Sequence, residues 1–403
     1  MSERVIFHID VNSAFLSWEA VERLKNGEQV DLREIPSAVG GDIATRHGVI
    51  LAKSIPAKKY KVTTGEPVVD ALRKCPELVV VQPHHELYQA YSRAFLSILK
   101  QYSDVIEKFS VDEAFVDMTG TRRLFGEPVE AAERMKNQVY RELGFTVNVG
   151  ISSNKILAKM ASDFQKPNRV HTLFPEEIPT KMWPLPVSEL YMAGKSSVEI
   201  LHKLEIRTIG ELANTAPELL ELHLKSHGRT LWEFANGIDS SKVIRERVES
   251  KGIGNSTTLS KDATTEDEAR KVLLWLAETV AGRLRKEKMK AKMVSVEIKY
   301  STFRSVSHQT QLQRPTSNDK AIYEVACDLF RELWNEEPIR LLGIRTSKLV
   351  DESEPEQMSI FDFQEMLEQD TPKDEKHEKL NKALDQIRKK YGDGAIVRGS
   401  LKK

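Results

Sequence analysis

Cysteine is nearly absent from this chain, with Cys75 and Cys327 the only two among 403 residues. They are far apart and lack metal-ligand spacing, which argues against a disulfide framework or a zinc site. Net charge is lacking as well. Sixty Lys and Arg balance sixty Asp and Glu, so any surface for a polyanion must be local. Long apolar runs are missing: nothing is long enough to cross a bilayer, and the run before Asp10 is too short for a secretory signal. The expectation is a soluble, reduced, cytoplasmic monomer without membrane contact. Its length exceeds one ordinary domain.

What the sequence does contain is an alternation of short strands and helices. Val5 to Val11 predicts a buried strand carrying Asp10 near its end, followed by a helix through Leu24. Gly40 to Gly65 is rich in glycine and lysine, with a strand-like run from Gly48 to Ala52. Helices are predicted at Val68–Lys74 and Leu87–Gln101. Val105–Phe109 and Glu113–Asp117 read as a hairpin with Ser110-Val111-Asp112 at its turn. A helix Val129–Leu143, a strand Thr146–Ile151 and a helix Lys155–Phe164 stopped before Pro167 complete an α+β core.

From Pro184 to Asn236 the pattern changes to short helices joined by glycine-containing turns, and Ser240 to Lys251 reads as a polar linker. Beyond it, strand, helix, two strands, helix and strand follow between Gly252 and Lys348, the β-α-β-β-α-β order of a separate small domain. After Val350 the chain turns acidic and then basic. It is expected to be flexible, except for an apolar island at Met358–Phe363 and a helix at Glu375–Tyr391.

Asp10, Asp112 and Glu113 stand at strand ends of one sheet, where carboxylates can converge. Three converging carboxylates repel one another and raise each other's pKa. Divalent cations relieve that repulsion, and a pair of them can clamp both oxygens of a phosphoryl displacement. Oxygen-only ligands favour Mg²⁺ over zinc. Acidic residues at turns are more often merely solvated, so the neighbouring residues have to decide.

Asp10-Val11-Asn12-Ser13-Ala14-Phe15 and Ser110-Val111-Asp112-Glu113-Ala114-Phe115-Val116-Asp117 resemble the two catalytic motifs of the Y-family DNA polymerases. The stretch Val149 to Ser162, continuing to Lys166-Pro167, resembles their third palm signature, and the likeness runs to about residue 350. It implies a right-hand polymerase: palm 1–12 and 80–172, fingers 13–79, helix-hairpin-helix thumb 173–240, linker 241–250, little finger 251–350 and a tail 351–403. The implied activity is template-directed, low-fidelity, lesion-tolerant addition of dNTPs to primer-template DNA. Asp10, Asp112 and Glu113 are implied to hold two Mg²⁺ ions, with the Val11 carbonyl as a further ligand. Phe15 is implied to stack under the deoxyribose and exclude a 2′-hydroxyl, and Lys166 to reach the triphosphate.

The sequence departs from the family pattern in two places. The fingers motif of many members is Tyr-Glu-Ala-Arg, and here the matching run is Ile55-Pro56-Ala57-Lys58. Lys58 supplies a point charge where a guanidinium would grip bidentately; Lys53 or Lys59 could compensate, although a surface lysine cluster is the better reading of those two. Leu190 to Leu212 resembles the thumb hairpin, with Gly194 and Lys195 presenting backbone amides to a phosphate, but Met192 stands where its first glycine is usual. Leu222–Gly228 resembles a second, looser copy, for which a helical hairpin that only packs is nearly as good a reading. In the little finger, Arg283, Arg285, Lys286 and Lys288, followed by Lys290 and Lys292, are expected to grip the duplex backbone. Gln357-Met358-Ser359-Ile360-Phe361 resembles the motif by which bacterial polymerases dock on the sliding clamp, with Gln357 as polar anchor and Ile360 and Phe361 filling an apolar pocket. A catalytically silent DNA- and clamp-binding scaffold is the alternative, and retention of all three carboxylates counts against it.

Overall fold

A computed structural model describes residues 4–42, 48–245, 250–354, 372–392 and 395–396. The chain divides into two compact units, the first ending at Arg247 and the second running from Val248 to the C-terminus.

The first unit opens with β1 (Ile6–Val11) and α1 (Ala14–Lys25), then β2 (Ser37–Gly40), β3 (Ile50–Lys53), α2 (Ile55–Lys59), α3 (Val68–Lys74), β4 (Val79–Val81) and α4 (His85–Leu99). There follow β5 (Ile106–Lys108), β6 (Glu113–Asp117), α5 (Arg122–Phe125), α6 (Pro128–Leu143), β7 (Val147–Ser152), α7 (Lys155–Asp163) and β8 (Val170–Thr172). Its main sheet has the order β5-β6-β1-β7-β8, and β3-β2-β4 form a smaller sheet.

Strand periodicity explains how the main sheet is covered. Phe7, Ile9 and Val11 alternate onto one face and join a core with Phe95 of α4 and Met135 and Val139 of α6. Ile6, His8 and Asp10 fall on the other face, where Ile6 packs with Phe115 and with Ala158 of α7. Asn154 caps α7, its side-chain oxygen accepting the Leu157 N–H at 2.9 Å. Gly150 on β7 allows α7 to approach closely, since a Cβ there would stand 1.9 Å from the Ala158 carbonyl oxygen.

Four short helices complete the unit: α8 (Lys195–Lys203), α9 (Ile209–Ala213), α10 (Pro217–Leu224) and α11 (Ser226–Ala235). Leu201, Ile209, Leu212, Leu220 and Leu231 pack them into one core with Ile156 and Leu157 of α7. The segment expected as a linker from Ser240 begins attached to this unit. Asp239 accepts the Ile156 N–H at 3.1 Å, Arg4 donates to the Ser241 carbonyl at 2.7 Å, and Ile244 N–H donates to Glu107 at 2.9 Å. Val243 is buried against Ile6, Phe115 and Ala158. Its apolar side chain finds the gap left between β6 and α7, a tertiary opportunity that a polar composition conceals.

The second unit contains β9 (Gly252–Ala263), α12 (Glu266–Lys286), β10 (Met289–Tyr300), β11 (Ser305–Thr316), α13 (Asp319–Leu333), β12 (Ile339–Asp351) and α14 (Pro372–Tyr391). Its sheet is antiparallel in the order β11-β10-β12-β9. Val294, Val296 and Ile298 face α12 and α13 and pack on Leu276, Val280 and Phe330. Ser295, Glu297 and Lys299 alternate to the polar face. Acidic residues open α12 and Arg283, Arg285 and Lys286 close it, the arrangement that complements a helix dipole.

The helix expected in the tail is present as α14, and side-chain contacts anchor it. The buried Asn381 amide donates to Asp319 at 2.7 Å, Asp385 receives Arg285 at 2.6 and 3.0 Å, and Arg388 approaches Glu278 at 3.3 Å. The proposed clamp motif, Gln357 to Phe361, lies outside the described residues.

Candidate active site

Asp10 and Glu113 are cross-strand partners in the β1–β6 register, and the Val11 N–H donates to the Asp112 carbonyl at 3.1 Å. Ser110 shapes the turn before β6. Its hydroxyl donates to the Asp112 carboxylate at 2.5 Å and accepts the N–H groups of Asp112 and Glu113 at 3.2 and 3.0 Å. Residues separated by a hundred positions in sequence thus reach one strand end.

The helix over this face supplies cations. Lys159 Nζ lies 2.7 Å from Glu113 Oε1. Lys166 pairs with both Asp10 and Asp163, at 2.7 Å for the latter. Burial pushes the Asp10 carboxyl up to about 6, against the opposing pull of Lys166, and the Glu113 charge adds to the rise. Burial disfavours the Lys166 ammonium, yet Asp10 and Asp163 outweigh it and hold its pKa above the ordinary lysine value. His8 is fully buried, and its pKa falls well below normal because of burial, then of the Lys159 and Lys166 charges. Its Nδ1 is 2.8 Å from Ser162 Oγ, while its Nε2 faces Glu113 at 3.8 Å.

A second network holds the loop that carries Lys166. The buried Asn148 amide donates to the carbonyls of Ser162 and Gln165 at 3.0 and 2.7 Å. Its oxygen accepts Asn12 Nδ2 and the Arg169 N–H, both at 3.2 Å. Asn12 Oδ1 in turn accepts the Asn168 N–H at 2.9 Å.

The donor set of carboxylates and a backbone carbonyl has the chemistry of a hard-cation site. Asp10, Asp112 and Glu113 occupy neighbouring positions. Among the described residues, however, no three His, Cys, Asp or Glu side chains are gathered to hold one ion. In the present arrangement the two ammonium groups sit on Asp10 and Glu113 instead. The donor types suit a divalent ion, and Lys159 and Lys166 hold the positions beside Glu113 and Asp10.

The other expected residues are distributed as follows. Phe15 is half-buried, its ring stacked on Tyr88 at 4.5 Å and 10°. Lys58 is exposed in the last turn of α2, which Ser54 caps. The Lys53 pKa is lowered by partial burial and by the Lys58 charge, so these two lysines are neighbours. Met192 adopts the left-handed φ of 70° that favours glycine, and the exposed Gly194 and Lys195 begin α8. Arg283 donates to the Gly254 carbonyl at 2.8 Å, and Lys286 and Lys288 are exposed. Arg285 differs from these two lysines in being paired: its guanidinium donates to Asp385 and, at 3.0 Å, to the Ser317 carbonyl.

Sequence reasoning missed Lys159, His8 and Asn148. The available signals were the two-residue spacing that puts His8 beside Asp10 and the position of Lys159 on the helix after the motif strand. Among the described residues, no helix is long and apolar enough to cross a membrane.

Comparison with known proteins agrees with this layout. Residues 9–163 match the impB/mucB/samB family, and residues 250–360 match the C-terminal domain of the same family. The DNA polymerase IV of Clostridium acetobutylicum is 48% identical over 398 residues, covering 99% of this chain and 98% of that protein. DNA polymerase IV 1 of Bacillus subtilis is 37% identical, covering 99% and 94% respectively. A solved Y-family DNA polymerase chimera of Dbh and Dpo4 shares the fold with a TM-score of 0.73 at 22% identity, covering 86% of this chain and 99% of that one. With one face of its sheet bearing the paired carboxylates and relatives aligned along nearly its whole length, the chain belongs to the impB/mucB/samB family of Y-family DNA polymerases.

Proposed function

We propose that this protein extends a primer on a DNA template by divalent-metal phosphoryl transfer, with low fidelity and tolerance of damaged templates. The observation that carries the reading is the cross-strand pairing of Asp10 with Glu113, with Asp112 on the adjoining turn. Asp10, Asp112, Glu113 and the Val11 carbonyl would hold two Mg²⁺ ions, which supply charge neutralisation at the reacting phosphate. Lys166, once released from Asp10, is within the site to meet the triphosphate of a dNTP, and Lys58 with Lys53 supplies positive charge from the smaller sheet. Phe15 forms a wall against the sugar. Catalysis by these groups is positioning plus electrostatic stabilisation.

The unit ending near Arg247 then comprises palm (1–12 and 80–172), fingers (13–79) and thumb (173–240), and the β-α-β-β-α-β unit is the little finger. Primer-template DNA is held by the α8 hairpin at Gly194 and Lys195 and by Arg283, Lys286 and Lys288. Residues 357–361 dock on the bacterial sliding clamp, and the enzyme works as a cytoplasmic monomer.

Primer extension on a primed template tests the core of this reading. The wild type should add single nucleotides only when Mg²⁺ is present. Asp112→Ala should lose at least about 10²–10³-fold in incorporation while retaining DNA affinity. Equal turnover in that variant would refute the assignment.

A further inference from the structure

Glu19 is 3% exposed, an unusual place for a carboxylate. It lies four residues after Phe15 in α1, and therefore on the same side of that helix. Among the described residues, no Lys or Arg pairs with it. Its Oε1 accepts the Tyr88 hydroxyl at 2.6 Å and stands 2.8 Å from His84 Nδ1. An acid buried with so little charge compensation contributes poorly to stability by itself. Another reason for its presence is worth seeking in what it touches.

Tyr88 is itself 1% exposed. Its ring lies parallel to Phe15 at 4.5 Å, and Trp18 contacts both rings at 6.0 and 5.8 Å. His85 meets the Phe15 ring edge-on at 6.4 Å and 89°. The hydroxyl of a tyrosine lies on the long axis of its ring. The core fixes that axis at the Cβ end, and Glu19 fixes it at the hydroxyl end. With both ends held, the Tyr88 ring is restrained, and it backs the Phe15 ring stacked on it.

We propose that Glu19 is a positioning residue for sugar selection. Acting through Tyr88, it keeps the Phe15 ring from retreating when a 2′-hydroxyl presses on it. A wall excludes a ribonucleotide only as far as it resists displacement, so its backing sets the discrimination as much as the ring does. This inference rests on the reading of Phe15 as the sugar wall.

The test compares kcat/KM for a deoxynucleotide and the matching ribonucleotide in Phe15→Ala, Tyr88→Phe, Glu19→Leu and Glu19→Gln. Tyr88→Phe keeps the ring and removes only the hydroxyl, so it reports even where Glu19→Leu folds poorly. Tyr88→Phe and Glu19→Leu should each lower the deoxy-to-ribo ratio about tenfold, the equivalent of one hydrogen bond. The change should come from improved ribonucleotide use. Glu19→Gln retains a carbonyl to accept the Tyr88 hydroxyl and should keep the wild-type ratio within about twofold. If Phe15→Ala relaxes the ratio while Tyr88→Phe and Glu19→Leu leave it unchanged, or depress both substrates equally, Glu19 is merely structural and the inference fails. If Phe15→Ala leaves the ratio unchanged, the reading of Phe15 fails first.

Discussion

Replacing Gly150 by alanine tests how α7, the helix that carries Lys159, is seated. The new Cβ would stand 1.9 Å from the Ala158 carbonyl oxygen, 2.4 Å from the Ser162 nitrogen and 3.0 Å from the Ala161 Cβ. Two of these are backbone atoms, which cannot rotate away as a side-chain tip can. An ordinary C···O contact begins near about 3.3 Å, so α7 must lift from β7 by roughly 1.4 Å. Gly150 does not need a left-handed φ, and the whole effect is steric. Overpacking of this kind costs about 1–3 kcal/mol, and backbone contacts place the expected loss near about 3 kcal/mol. The same lift carries Lys159 away from Glu113 and Ser162 away from His8. A displacement of about 1 Å can cost on the order of 10²-fold in rate. Urea unfolding followed by circular dichroism should report the first loss, and single-turnover primer extension on the folded fraction the second. A Gly150→Ala protein within about 0.5 kcal/mol of the wild type that also incorporates nucleotides normally would refute the close approach as the device that seats α7.

Asp10→Asn should reveal a pH-dependent difference in the metal-free protein. The folded carboxyl, at about 6, lies above its ordinary value, so its contribution is full below about pH 4 and is lost as pH rises through about 6. Between those limits the wild type should lose up to about 3 kcal/mol relative to Asp10→Asn, measured by urea unfolding in a chelator; a constant difference would contradict this. Arg285→Ala should free α14, seen as lost amide-exchange protection around Asn381–Arg388, with DNA affinity within about twofold of wild type. A large affinity loss with α14 still protected would return Arg285 to the DNA contacts. Deleting 357–361 should abolish stimulation by a bacterial sliding clamp but not basal synthesis, and undiminished stimulation would sink the docking role.

The long elements were legible because their periodicity is strong: α6, α7 and the β-α-β-β-α-β unit fall within a few residues of expectation, and the β5–β6 hairpin was legible through the motif at its turn. The strands β2, β4 and β8, of three or four residues each, were not, since so short a run carries no period and exists only because a neighbour pairs with it. The carboxylates were legible through motif and strand position. Lys159 and Glu19 were not, because a lysine or glutamate on a helix reads as solvated until the packing shows which side it faces. The pairing of Arg285 was hidden for the converse reason: its partner Asp385 is a hundred residues away on α14, and no local pattern announces it.

The lysines resting on Asp10 and Glu113 have a consequence for the proposed metal site. The chain brings its own counter-ions to the place where negative charge is most crowded. Folding then need not wait for a dissolved cation, in contrast to proteins whose bare ligands order only on loading. Under that proposal, arming the enzyme is an exchange of one positive group for another.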